Sequence, residues 1–365
     1  MTKFLSNFAF LTFLSIAIVS CSKKDSPTQS GGDTGTTLNS FKLASDADAP
    51  GVDPANVEAI WNSATAISTT VSPMGDNFTG STTPFPVTIK SVVSSTDIYF
   101  LVQYADASPN YFNQPLHFKG GDPKAALNWT VDATTYEDGV SLIFEDPLHM
   151  GKSGTKTFAS DGCTMLCHTS PGVFGDKGMF SETDGRYDLW YWHAGKGNGS
   201  GYADDKMSIG NPNFGIVEDD INAEIYHNNA INNSPGYFPY VVAGGSNRNL
   251  DKQYFIAEET AKPFASGITI NPGTSKAWTT DDLVAAYSLA LPADPTNDYF
   301  DVKAKGNYSN GAWTVKFQRK LSTGNANDVS FSHGNTYPFS FAVHNNNSPG
   351  NHYGAASTEF KLMIP

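Results

Sequence analysis

Residues 86–106, PVTIKSVVSSTDIYFLVQYAD, hold two apolar-rich alternating runs, Val87–Val93 and Ile98–Tyr104, split by Ser-Ser-Thr-Asp. Alternation at every second residue puts those side chains on one face, the period of a half-buried strand. β-Branched and aromatic residues fill both runs, and the short polar break between them fits a hairpin. The same signature returns at 138–144 (DGVSLIF), 312–317 (AWTVKF) and 337–343 (YPFSFAV). With 33 Gly, 21 Pro and few long stretches of helical period, the chain is expected to be mainly β. An antiparallel β-sandwich with long loops and a few short helices fits best. The helices are expected over 54–63 (PANVEAIWNS) and 281–290 (DDLVAAYSLA). Within a sandwich domain of 41–365, residues from about 209 to 300 are rich in Asn, Gly, Ser and aromatics with weak periodicity, and read as an insertion packed against it.

The chain opens MTKFLSNFAFLTFLSIAIVSC. Lys3 gives a short positive region, and Phe8 to Val19 is an apolar run of signal-peptide length, short for a bilayer span. It ends Ile18-Val19-Ser20-Cys21, which resembles a bacterial lipobox. On that reading residues 1–20 are a cleaved leader and Cys21 is lipidated; the alternative is an ordinary leader with a coincidental cysteine. Several acyl chains on one residue anchor stably, since each buried methylene contributes about 0.8 kcal/mol. Ser22 to Ser40 (SKKDSPTQSGGDTGTTLNS) is nearly free of apolar residues and reads as a flexible tether, so that 21–40 joins anchor to globule. The expected location is the bacterial cell envelope, at the outer membrane, because Ser22 gives no obvious signal for retention in the inner one.

Charge narrows the partners. Lys plus Arg number 23 and Asp plus Glu 36, a net −13. Nucleic acid wants a basic footprint and anionic lipid a basic patch, so both are excluded as electrostatic partners. A basic docking partner is favoured instead.

There are three cysteines: Cys21, Cys163 and Cys167. Lipidation of Cys21 leaves one close pair, in GCTMLCH (162–168), with His168 touching the second. Covalent haem attachment needs two thiols that each add to a vinyl group and an adjacent imidazole to reach the iron. Cys163, Cys167 and His168 supply these groups, with one residue more between the cysteines than the usual C-x-x-C-H. A disulfide is the plain alternative in an exported protein. A copper site with thiolate and imidazole ligands is a third. Downstream, YDLWYWHAGKGNGSGYADDKMS (187–208) puts Tyr187, Trp190, Tyr191 and Trp192 within six residues. Trp190 and Trp192 are candidate walls for a flat apolar cofactor, or members of an aromatic core strand. Asp204-Asp205 read as a calcium or polar anchoring pair, or more simply as solvated acids.

Several stretches together resemble a known family, the haem-binding domain related to the gamma subunit of ethylbenzene dehydrogenase, found also in c-type cytochromes. They are Trp61 with TAISTTV, DIYFLVQYAD (97–106), EDGVSLIFED (137–146), the GC…CH segment (162–168), DLWYWHAG (188–195) and GYADD (201–205). The resemblance resumes at GAWTVKFQRKLSTG (311–324), NDVSF (327–331) and YPFSFAVHNNNSPGNHYGAAS (337–357). It implies a β-sandwich with a single haem. In molybdenum-enzyme subunits of this kind the haem is b-type, held by Met and Lys; in members with GC-x-x-CH it is covalent, which makes His168 the matching ligand. A second ligand, Lys or His, comes from the C-terminal strand region, where PGNHYGAAS points to His352. The departure is the spacing of the cysteines; if it blocks the thioethers, haem b or no haem follows. Met150, in His149-Met150, is the second candidate for the iron. His193, Met207, His227, His333 and His344 are expected to pack or to face solvent.

No Ser–His–Asp arrangement, paired-carboxylate motif or phosphate-binding glycine loop stands out. A haem with both axial positions filled moves one electron, so the expected function is electron transfer. The reading is a lipid-anchored monohaem c-type cytochrome-like protein serving redox partner proteins of the envelope. One alternative is the haem subunit of a molybdenum oxidoreductase complex. Another is a haem-free carbohydrate-binding sandwich with a Cys163–Cys167 disulfide, in which exposed Trp190 and Trp192 stack on sugar rings.

Overall fold

The computed structural model describes residues 35–74, 78, 81–121, 129–166, 179–211, 215–218, 226–228, 240–242, 256–257, 261–263, 280, 283–284, 287–289, 298–347, 351–355 and 359–365. Cys21, the leader, Cys167 and His168 lie outside them, as does most of the tether and of the expected insertion.

The alternating run at 86–106 is a hairpin. After β1 (Ile67–Met74), β2 (Phe85–Val93) and β3 (Asp97–Ala105) pair antiparallel, with Val93 opposite Ile98 and Val87 opposite Tyr104. The strand expected at 138–144 is β4 (Gly139–Glu145), and the aromatic run is β5 (Arg186–His193). Next come β6 (Asp204–Ile209) and β7 (Gly215–Glu218), then β8 (Lys303–Ser309) and β9 (Ala312–Lys320). The chain closes with β10 (Thr336–His344), β11 (His352–Gly354) and β12 (Phe360–Met363).

Two layers follow from the pairing. One runs β8-β9-β3-β2-β1, the other β7-β6-β5-β4-β10, and β11 joins them by pairing with both β10 and β1. Between them lies a core of Ile89, Phe100, Val102, Val315 and Phe317 from the first layer and Leu142, Phe144, Trp190, Trp192, Phe339, Phe341 and Val343 from the second. The fold is a mainly antiparallel β-sandwich, as the alternation implied. Among the described residues no helix is long and apolar enough to cross a membrane.

Two expectations change. Over 54–63 only a 3-10 turn forms, Ala59–Asn62, with Trp61 buried. The helix expected over 281–290 is replaced by two short strands, Leu283–Val284 and Tyr287–Leu289. Leu283 and Val284 pair with His117 and Leu116, so tertiary pairing overrides the Ala-rich local preference. The second layer also continues past residue 209, because β7 pairs with β6 as far as Glu218.

Candidate functional site

Strand β5 reads Arg-Tyr-Asp-Leu-Trp-Tyr-Trp-His, and the two-residue period sends its side chains to opposite faces. Asp188, Trp190 and Trp192 point into the sandwich; Tyr187, Leu189, Tyr191 and His193 point to the outer face of the second layer. Both indoles are fully buried, and Trp190 packs on Phe100, Phe144 and Phe331. Trp192 packs on Trp313 and on bare backbone at Gly306, where a Cβ would come within 2.2 Å of the indole. Its Nε1 donates to Asn198. Trp190 and Trp192 are thus core residues: neither walls a cofactor nor is exposed to stack on a sugar.

The inner face also carries a buried ion cluster. The Arg319 guanidinium lies over the rings of Trp190 (4.6 Å) and Phe331 (5.1 Å) and donates to Asp188 and to the carbonyl of Val329. Asp328 approaches it at 3.7 Å. Asp188, Asp205 and Asp328 bring carboxylate oxygens within 4.8 Å of one another. Burial raises the Asp188 carboxyl to about 6, against the pull of Arg319. Burial and Asp328 raise Asp301 to about 7, against a hydrogen bond with Asp205. Asp204 and Asp205 are therefore not solvated acids: both are buried on β6, pointing to opposite faces.

On the outer face a short segment covers the sheet. Strand Lys156–Thr157 leads into a helical turn, Phe158–Asp161, capped by Thr157, and then the 3-10 turn Gly162–Met165 that carries Cys163. Phe158, Cys163, Met165 and Leu166 pack on Ile143, Tyr187 and Leu189. Burial pushes the Cys163 thiol up, opposed by a hydrogen bond with Ser340.

Beside this segment opens a cleft of about 490 Å³, its mouth included. Its walls are mostly apolar: Ile143, Leu189, Ile216, Met179, Phe341 and Ala342. Cys163, His344, His352, Ser141 and Tyr191 complete the lining. The few polar groups among apolar walls are the chemistry of a small-molecule or cofactor site. Cys163 and His352, far apart in the chain, thus share one cleft. Met150 does not: it is 67% exposed, in the turn after β4, where His149 Nδ1 bonds Asp146 at 2.6 Å.

His344 is the residue that sequence reasoning passed over. It ends β10 at 4% exposure, and its ring lies 5.5 Å from that of His352. Burial, with His352 and His193 nearby, holds its pKa well below 6.5, so the imidazole is neutral. A readable signal existed in YPFSFAVH: Phe339, Phe341 and Val343 form one face, and Ser340, Ala342 and His344 a small, polar one with room above it. Of the other candidates, His193 sits under Tyr191, between Glu137 (3.2 Å) and Asp204 (3.1 Å). His333 is exposed and bonded to Pro365, Met207 faces Asp188 across β5–β6, and His227 lies in a short strand paired with Ser288.

Cys167 and His168, the other two groups of the Cys–His motif, lie outside the described residues, and Cys163 is the member of the motif that the cleft shows. Imidazole and thiol at the edge of an apolar cleft are the donor chemistry that a haem would use.

Solved structures of similar fold include a family 9 carbohydrate-binding module from Caldicellulosiruptor kristjanssonii in complex with glucose, at 8% identity and a TM-score of 0.34 over 90% of this chain and 95% of that one. Another is a putative carbohydrate-binding protein from Bacteroides uniformis, at 9% identity and a TM-score of 0.38 over 91% of this chain and 100% of that one. Likeness at this level says nothing of a ligand. No curated protein matches the chain. The family model described as ethylbenzene dehydrogenase matches residues 58–357, which span both layers of the sandwich, Cys163 and His352. The chain belongs to the ethylbenzene dehydrogenase family.

Proposed function

We propose that the protein carries a haem in the outer-face cleft and passes single electrons between redox partner proteins of the bacterial cell envelope. The observation that carries this reading is the meeting of Cys163 and His352 in one mostly apolar cleft. When bound, a haem with both axial positions filled takes up and releases one electron. Cys163, with Cys167, would tether the ring, and His168 and His352 are the ligands that the family resemblance implies. Ile143, Leu189 and Phe341, which line the cleft, would help to keep water from such a ring. The net charge of −13 suits a basic partner, and a lipid on Cys21 would hold the globule near a membrane on its tether.

The family match over 58–357 also favours a second reading, in which this is the haem subunit of a larger molybdenum oxidoreductase. Stable co-purification with a catalytic subunit separates that reading from a mobile shuttle.

The test is pyridine haemochrome spectroscopy with intact mass on protein made with haem-maturation factors. A c-type spectrum and one added haem, lost in Cys163→Ala/Cys167→Ala, is expected. A b-type spectrum would mean that the cleft binds haem without thioethers. Haem-free protein two hydrogens light would overturn the reading in favour of a disulfide.

A further inference from the structure

We infer that His344 supplies the iron-binding imidazole on the sheet side of the cleft, with Tyr191 and Ser141 as its positioning residues. This rests on the haem reading above and changes its ligand set, in which His352 held that place. Three observations carry it.

First, His344 is buried yet has neither ring nitrogen firmly bonded. Nδ1 has no hydrogen-bond partner among the described residues, and Nε2 lies 3.5 Å from Ser141 Oγ, at the limit of a hydrogen bond. Buried polar atoms in native proteins almost always find partners, and an exception calls for a ligand or another cause.

Second, the ring is held in a stack. Tyr191 lies 4.5 Å from His344 at 33°, and His193 lies 3.7 Å from Tyr191 at 37°. His193 is pinned in turn between Glu137 and Asp204. The column fixes the plane of His344 before anything binds, as a well-made ligand site requires.

Third, the backbone makes room for the column. At Gly139, directly across β4 from both His193 and His344, a Cβ would come within 2.7 Å of the Tyr191 ring and 2.8 Å of the Trp192 carbonyl. Only a residue without a side chain lets Tyr191 lie there. His352, by contrast, sits on a three-residue strand whose neighbour across the ladder is Met74.

The experiment compares ferric haem-loaded wild type with His344→Ala, His352→Ala, Tyr191→Phe and Tyr191→Leu by absorption and electron paramagnetic resonance. Folding is checked by circular dichroism, and His344→Gln stands in should His344→Ala fail to fold. His344→Ala is expected to convert a low-spin to a high-spin signal, with the low-spin form restored by millimolar imidazole. His352→Ala and Tyr191→Phe should stay low-spin. Tyr191→Leu, which keeps an apolar side chain but not the ring, should broaden the low-spin signal or mix in high-spin iron. A low-spin His344→Ala beside a high-spin His352→Ala would overturn the assignment and leave the haem reading standing. Wild type that takes up no haem would overturn both.

Discussion

The inner and outer faces of β5 are separated by one residue of register and serve different ends. Inside, Trp190 and Trp192 close-pack against the facing layer, and the lone guanidinium of Arg319 is shut between aromatic rings with its carboxylates around it. Outside, Tyr187 and Leu189 lie beneath a segment that leaves a cleft, with Tyr191, His344 and His352 in its lining. The lesson is that the most aromatic side chains of a segment mark its core side, while the binding side is shown by small and polar neighbours: Ser141, Ser340, Ala342 and Gly139. A close-packed interior has no spare volume for a cofactor. The space must be sought where the side chains are short.

The largest effect expected from disturbing this contrast is on the inner face. Arg319→Ala leaves Asp188 and Asp328 buried without their guanidinium and should cost about 3–5 kcal/mol in urea denaturation. Tyr191→Phe on the outer face should cost less than about 0.5 kcal/mol, because the ring and its packing are kept. Equal losses would mean that the two faces share one structural role.

Next in size is Gly139→Ala. Pushing a methyl against Tyr191 and the Trp192 carbonyl should cost about 1–3 kcal/mol, as overpacking does. It should disturb the haem spectrum as well, whereas a core variant of equal cost would leave the spectrum intact while folded. An unchanged spectrum would detach the Tyr191 column from the cleft.

A smaller, signed effect concerns pH. Asp301 is lifted from 3.8 to about 7, chiefly by burial, so the folded chain binds this proton more tightly than the unfolded one. The resulting stabilisation is complete below 3.8 and disappears as pH rises to about 7. Asp301→Asn should therefore weaken the rise in melting temperature that wild type shows between pH 7.5 and pH 5.5, both being approximate settings around that window. A wild-type slope retained in the variant would assign the proton elsewhere. Smallest of all, Met150→Ala should shift stability by less than about 0.5 kcal/mol and leave the haem spectrum unchanged, because the side chain is mostly solvated. A high-spin spectrum in that variant would restore Met150 as the ligand.

Much of the sandwich was legible because its strands alternate cleanly. The hairpin at 87–104 and the strands at 138–144, 312–317 and 337–343 all form within a few residues of their expected limits. The helix at 281–290 was not, since Leu283 and Val284 find strand partners at 116–117 that no local pattern announces. In the site, Cys163 and His352 were legible from motif and resemblance. The parity of Trp190 and Trp192 was not: DLWYWH alternates two aromatic faces, and only the Asp188–Arg319 pair, made across the core, says which one is inside. The burial of Asp204 and Asp205 was hidden for the same reason, because their partners lie on distant strands.

The central claim is that the haem sits against the outer face of β5. Proton NMR of the reduced and oxidised protein tests it most directly, since unpaired spin on the iron shifts nearby nuclei. The largest differences between oxidation states are expected on Ile143, Leu189 and Tyr191, with clearly smaller ones on the indoles of Trp190 and Trp192. Shifts largest on the two indoles, or absent from all five residues, would contradict the account.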